Sequence, residues 1–124
     1  MKTIKIFLPV LLLFVCVINT NSQERIKFKK GEISATVTGG IARGESYDYL
    51  VGASKGQFMT VTIMSVEDNA VFYIIDNSTY QYLYGATEEG TTRWEGVLPS
   101  KGDYKIVVGS NRGGAEYTLQ VVIE

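Results

Sequence analysis

The amino-acid sequence predicts an all-β protein: an antiparallel β-sandwich, jelly-roll-like, of about eight to nine short strands behind a signal peptide. Two observations carry the sandwich. Apolar residues recur at every second position from residue 23 onward, and helical spacing is absent. Clusters of Gly, Ser, Asn, Asp and Pro interrupt this alternation at intervals of roughly eight to twelve residues, the rhythm of a sandwich or barrel. A third observation sets the N-terminus apart. Lys2 and Lys5 precede thirteen residues, Ile6 to Ile18, without charge, and Thr20 and Ser22 are small residues at −3 and −1 of a cut before Gln23. Residues 1–22 therefore read as a secretory signal peptide. The apolar run is shorter than the about 20 residues a spanning helix needs, and Pro9 interrupts it. Lipidation at Cys16 is the rival reading, and bulky Leu13-Phe14-Val15 argue against it.

Residues 23–124 form a single domain with an exported destination, periplasmic or extracellular, and no membrane contact once the signal is removed. Without Lys2 and Lys5, 10 of the 12 basic residues remain against 13 acidic ones, a net charge near −3. The only cysteine leaves with the signal, so packing alone must hold the domain.

The strands follow in order. Ile26 and Phe28 share one face of the first, with Arg25, Lys27, Lys29 and Lys30 at its solvent side and end. Ile33, Ala35 and Val37 point inward from the second, and Gly39-Gly40 is expected to break it. Tyr47, Tyr49 and Val51 share a face of the third, Ser54-Lys55-Gly56 turns, and Met59, Val61 and Ile63 line the fourth. Val71 to Ile75 is apolar throughout, as in a strand covered on both sides or near an edge. Tyr80, Tyr82 and Tyr84 alternate with Gln81 and Leu83 and read as a strand bearing a tyrosine stripe. Trp94, Gly96 and Leu98 share a face of the next strand, where Gly96 signals a bulge or a close neighbour. Pro99-Ser100-Lys101-Gly102 turns. Tyr104, Ile106 and Val108, then Tyr117, Leu119, Val121 and Ile123, complete the core.

The residue inventory excludes much chemistry. With neither histidine nor cysteine in residues 23–124, Ser–His and Cys–His nucleophiles are ruled out, and zinc lacks its usual nitrogen and sulfur ligands. Glu67-Asp68-Asn69 and Asp76-Asn77 lack calcium-loop spacing and read as turns. Glu88, Glu89 and Glu95 are solvated carboxylates rather than a tuned acid–base pair. Gly113-Gly114 lacks the context of a phosphate cradle. The mildly acidic surface offers nucleic acid no footprint. No enzyme activity, metal or cofactor is expected.

Aromatics and arginines remain. The Tyr80, Tyr82, Tyr84 stripe either packs in the core or stacks on sugar rings as a glycan-binding face. Two loops each hold an arginine beside glycines: Gly39 to Ser46 with Arg43, and Gly109 to Gly114 with Arg112. Such an arginine is either ordinary and solvated or a prong for a carboxylate-lined cleft.

Four stretches carry a family resemblance. They are Arg25-Ile26-Lys27-Phe28 with Ala35-Thr36-Val37; Asp48-Tyr49-Leu50-Val51 with Gly56-Gln57-Phe58-Met59-Thr60-Val61; Trp94 to Tyr104; and Ala115-Glu116-Tyr117-Thr118-Leu119. In that order they resemble the inhibitors of goose-type lysozyme and the related pre-peptidase C-terminal domains. The resemblance implies a secreted β-sandwich whose loops, arginines and a tyrosine among them, enter the acidic cleft of a lysozyme. The loop before the last strand is shorter here than in many relatives. Ser110, Asn111 and Arg112 would carry the contact, with Tyr47 as aromatic partner. A glycan- or cell-surface-binding module, and a structural or assembly domain, are the other readings.

Overall fold

The structure, a computed structural model, describes residues 23–83 and 89–124. Residues 1–22, expected to be a signal peptide, and with them Cys16, lie outside the described residues, as do Tyr84 and Glu88. Nine strands follow one another: β1 (Gln23–Arg25), β2 (Ser34–Ile41), β3 (Tyr47–Ala53), β4 (Phe58–Ser65), β5 (Ala70–Asp76), β6 (Gln81–Tyr82), β7 (Arg93–Val97), β8 (Gly102–Ser110) and β9 (Ala115–Ile123). They form a five-stranded sheet in the order β1-β3-β8-β5-β6 and a four-stranded sheet in the order β2-β9-β4-β7. All pairings are antiparallel except that of β1, which runs parallel to β3.

The expected inward faces meet between the sheets. Tyr49, Val51, Met59, Val61, Ile63, Tyr104, Ile106, Val108, Tyr117, Leu119, Val121 and Ile123 are buried there, joined by Phe72, Ile74, Trp94 and Leu98. At about 25 cal/mol per Å² of apolar surface, this burial is the dominant stabilising term in a domain that residues 23–124 build without cysteine. The β5 run buries Ala70, Phe72, Ile74 and Asp76 on its inner side and leaves its alternate residues half-buried.

Three local expectations are corrected. The first strand ends at Arg25, although Ile26 is buried and Phe28 packs on the core as its alternation requires. The Ile26 amide still donates to the Leu50 carbonyl at 2.8 Å. Ile33 is not inward: it precedes β2 at the sheet rim and is half exposed. Gly39-Gly40 does not break β2, which continues to buried Ile41. Glycine stands at 39 because a Cβ there would lie 2.6 Å from the Tyr117 hydroxyl and 3.3 Å from that of Tyr49. Close approach, not turn formation, explains it.

Candidate partner-binding site

Strand register gathers three loops at one end of the sandwich. Ile41 pairs with Ala115, Ser65 with Tyr117, Ala70 with Ser110, and Tyr47 with Val108. The β2–β3, β4–β5 and β8–β9 connections therefore share an end, and they carry Arg43, Glu67-Asp68-Asn69 and Asn111-Arg112.

The β8–β9 loop is tightly held. Ser110 Oγ donates to the Arg112 carbonyl at 3.0 Å and accepts from the Arg112 amide at 3.3 Å, a local serine turn. Gly113 follows with φ of +62°, a conformation that favours glycine. Asn69, buried in the β4–β5 connection, donates through Nδ2 to the carbonyls of Arg112 at 2.9 Å and Gly114 at 2.8 Å. Its own carbonyl accepts from the Asn111 amide at 2.9 Å. The exposed Arg112 guanidinium donates to the Glu67 carbonyl at 2.6 Å. A guanidinium has five N–H donors, so this bond steers the group and leaves others for a carboxylate.

Arg43 is exposed on a turn closed by the Glu45 amide donating to the Ala42 carbonyl at 3.0 Å, with Gly44 at φ +81°. Tyr47 has a different environment. Its half-buried ring stands edge-on to Tyr49, centroids 5.0 Å apart, and its hydroxyl donates to Glu24 Oε1 at 3.1 Å. Burial first, and then the Glu24 bond, push its pKa up. Glu24, Glu45, Glu67, Asp68 and Glu116 flank the two arginines, so this end is mixed in charge rather than basic.

Of the expected tyrosine stripe, Tyr80 and Tyr82 are described, and they do not share one strand face. β6 comprises Gln81 and Tyr82 alone. Tyr80 sits in the preceding turn at φ +59°, 79% exposed, with its amide donating to the Asp76 carbonyl. Tyr82 is 46% exposed and packs edge-on against Tyr73 with centroids 5.3 Å apart. These two rings lie at the end of β5 opposite the arginine loops. The turn held by Asp76 sets Tyr80 off the strand, which alternation alone cannot reveal.

Asn69 is the site residue that sequence reasoning missed. It reads as one more turn residue after Glu67-Asp68, and only the loop folded across it makes it buried. Among the described residues, no group of His, Cys, Asp or Glu is arranged to hold a metal ion.

No protein-family profile and no curated protein matches the chain. Solved structures do. The periplasmic inhibitor of g-type lysozyme PliG from Aeromonas hydrophila matches with a TM-score of 0.69 and 26% identity, over 83% of this chain and 96% of that one. Salmonella Typhimurium PliG matches with a TM-score of 0.68 and 22% identity, over 85% of this chain and 100% of that one. The pre-peptidase C-terminal domain of a Bacillus anthracis collagenase matches with a TM-score of 0.62 and 15% identity, over 83% and 97%. The chain thus has the β-sandwich fold shared by the periplasmic inhibitors of g-type lysozyme and a pre-peptidase C-terminal domain.

Proposed function

We propose that this chain is an exported, periplasmic or secreted, non-catalytic protein that binds and inhibits a g-type lysozyme. Arg112, with Ser110 and Asn111 beside it and Arg43 on the neighbouring loop, is the contact surface, and Arg112 enters the acidic cleft. One observation carries the reading: buried Asn69 and the Glu67 carbonyl hold Arg112 in a pre-formed loop. A cation ordered before binding loses little entropy on association, and a cleft carboxylate supplies its counter-charge. Tyr47 supports the base of this end through Glu24 and Tyr49 rather than offering a free ring.

The test is titration of a g-type lysozyme with the exported protein, with a chicken-type enzyme as control. Selective inhibition near stoichiometry is expected. Absence of inhibition at about 10 µM, which means a binding free energy weaker than roughly −7 kcal/mol, would refute it. The exposed rings of Tyr80 and Tyr82 support glycan binding as the second reading.

A further inference from the structure

We propose that β2 is a pairing edge through which two copies of this chain join their four-stranded sheets. β2 is the outermost strand of that sheet, next to β9. The Ile123 amide donates to the Ile33 carbonyl at 2.8 Å, and residues 34–41 continue the same register against 122–115. Odd-numbered residues of β2 therefore bond to β9. The alternation of an antiparallel ladder turns the N–H and C=O groups of Ser34, Thr36, Thr38 and Gly40 the other way. No described residue pairs with them.

An open edge of eight residues, Ser-Ala-Thr-Val-Thr-Gly-Gly-Ile, without charge or proline, lacks the devices that usually block edge pairing. The other edges have them. β1 has three residues and is latched by Arg25, whose guanidinium donates twice to the Asp103 carboxylate at 3.0 and 2.8 Å. β6 has two residues. β7 carries Arg93 and Glu95, paired with each other at 3.0 Å.

The occupant that fits is a second copy. A two-fold axis through Val37 sets Thr36 opposite Thr38 and Ser34 opposite Gly40. Every outward backbone group then meets an outward group of its mate, as an isologous interface requires. Carried one residue past each strand end, the same register sets Glu32 of each copy opposite Ala42 of the other, next to the turn that bears Arg43. An arbitrary extended peptide would satisfy the backbone but not these two juxtapositions of Glu32 with the Arg43 turn. Because the two β2 strands run in opposite directions, the arginine-bearing ends point apart. Edge pairing alone buries less than the roughly 1,600 Å² of a standard interface, so a weak dimer is expected, with a dissociation constant of about 10–100 µM.

Sedimentation equilibrium of the exported protein between about 5 and about 500 µM tests this. A monomer–dimer equilibrium is expected. Thr36→Pro removes an outward N–H that the fold does not use and should weaken the dimer at least about 10-fold with the unfolding temperature retained. Thr38→Lys, which needs no backbone change, should do the same. Glu32→Lys should weaken it, and adding Arg43→Glu should restore it. A protein that stays monomeric at about 500 µM, or a dimer indifferent to Thr38→Lys and Glu32→Lys, overturns the proposal.

Discussion

The hydroxyls of Tyr49 on β3 and Tyr117 on β9 share a 2.7 Å hydrogen bond that ties the two sheets together in the core. Burial, and then the bond to Tyr117, push the Tyr49 hydroxyl well above its ordinary pKa. It stays protonated and the bond stays neutral. Gly39 on β2 leaves the space this pair occupies. Gly39→Ala should destabilise the domain by about 1–3 kcal/mol through overpacking. Tyr117→Phe should cost about 1–3 kcal/mol by leaving the Tyr49 hydroxyl buried without its partner. Urea unfolding of the two variants checks both.

Acid should weaken the domain through Asp76. Burial pushes its carboxyl up. The Ser78 hydroxyl and amide, the Ser100 hydroxyl and the Thr79 amide outweigh that effect, so its pKa lies below the ordinary value. A carboxyl that holds its proton less tightly when folded contributes stability above the ordinary carboxylate range. That stability is lost as pH falls through the folded value. Asp103, whose pKa is lowered chiefly by its hydrogen bonds from Arg25, acts in the same direction. Stability should therefore fall below about pH 4. Asp76→Asn should flatten this acid limb and lower stability at neutral pH. Unfolding temperature measured from acid to neutral pH decides it.

Arg112→Ala should weaken lysozyme binding by about 1–3 kcal/mol, the range of a charged hydrogen bond, with stability little changed. Asn69→Ala should act differently. It removes the two bonds to the Arg112 and Gly114 carbonyls, so it should cost about 1–3 kcal/mol of stability and also slow association with the enzyme. Calorimetry and surface binding kinetics of both variants separate a contact residue from a loop-holding one.

Trp94, the only tryptophan, reports on β7 directly. Its ring lies over Gly96, where a Cβ would come within 2.9 Å of the indole. Gly96→Ala should displace the buried ring, shift its fluorescence to longer wavelength and cost about 1–3 kcal/mol. Unchanged emission would mean that the strand, rather than the ring, had moved.

Most of the core was legible because period-two alternation is a local property. Tyr104, Ile106 and Val108 point inward whatever their partners are. Gly96 was legible for the same reason, since a glycine inside an alternating strand signals a close neighbour, and that neighbour is Trp94 two residues away on the same face. Gly39 misled because its neighbours are Tyr49 and Tyr117, remote in the chain. The expected tyrosine row failed at Tyr80, where a turn closed onto Asp76 overrides the alternation.

The sequence by itself determined that residues 23–124 build paired sheets with neither cysteine nor histidine to contribute, because composition and alternation need no partner to be read. It also nominated Arg112 and Arg43 as exposed cations in glycine-bearing loops. Tertiary structure alone decided that those loops share an end, that Asn69 is buried beneath the Arg112 loop, and that β2 lies at an open edge. Each depends on strand order and register, which are set by long-range pairing that no local pattern encodes.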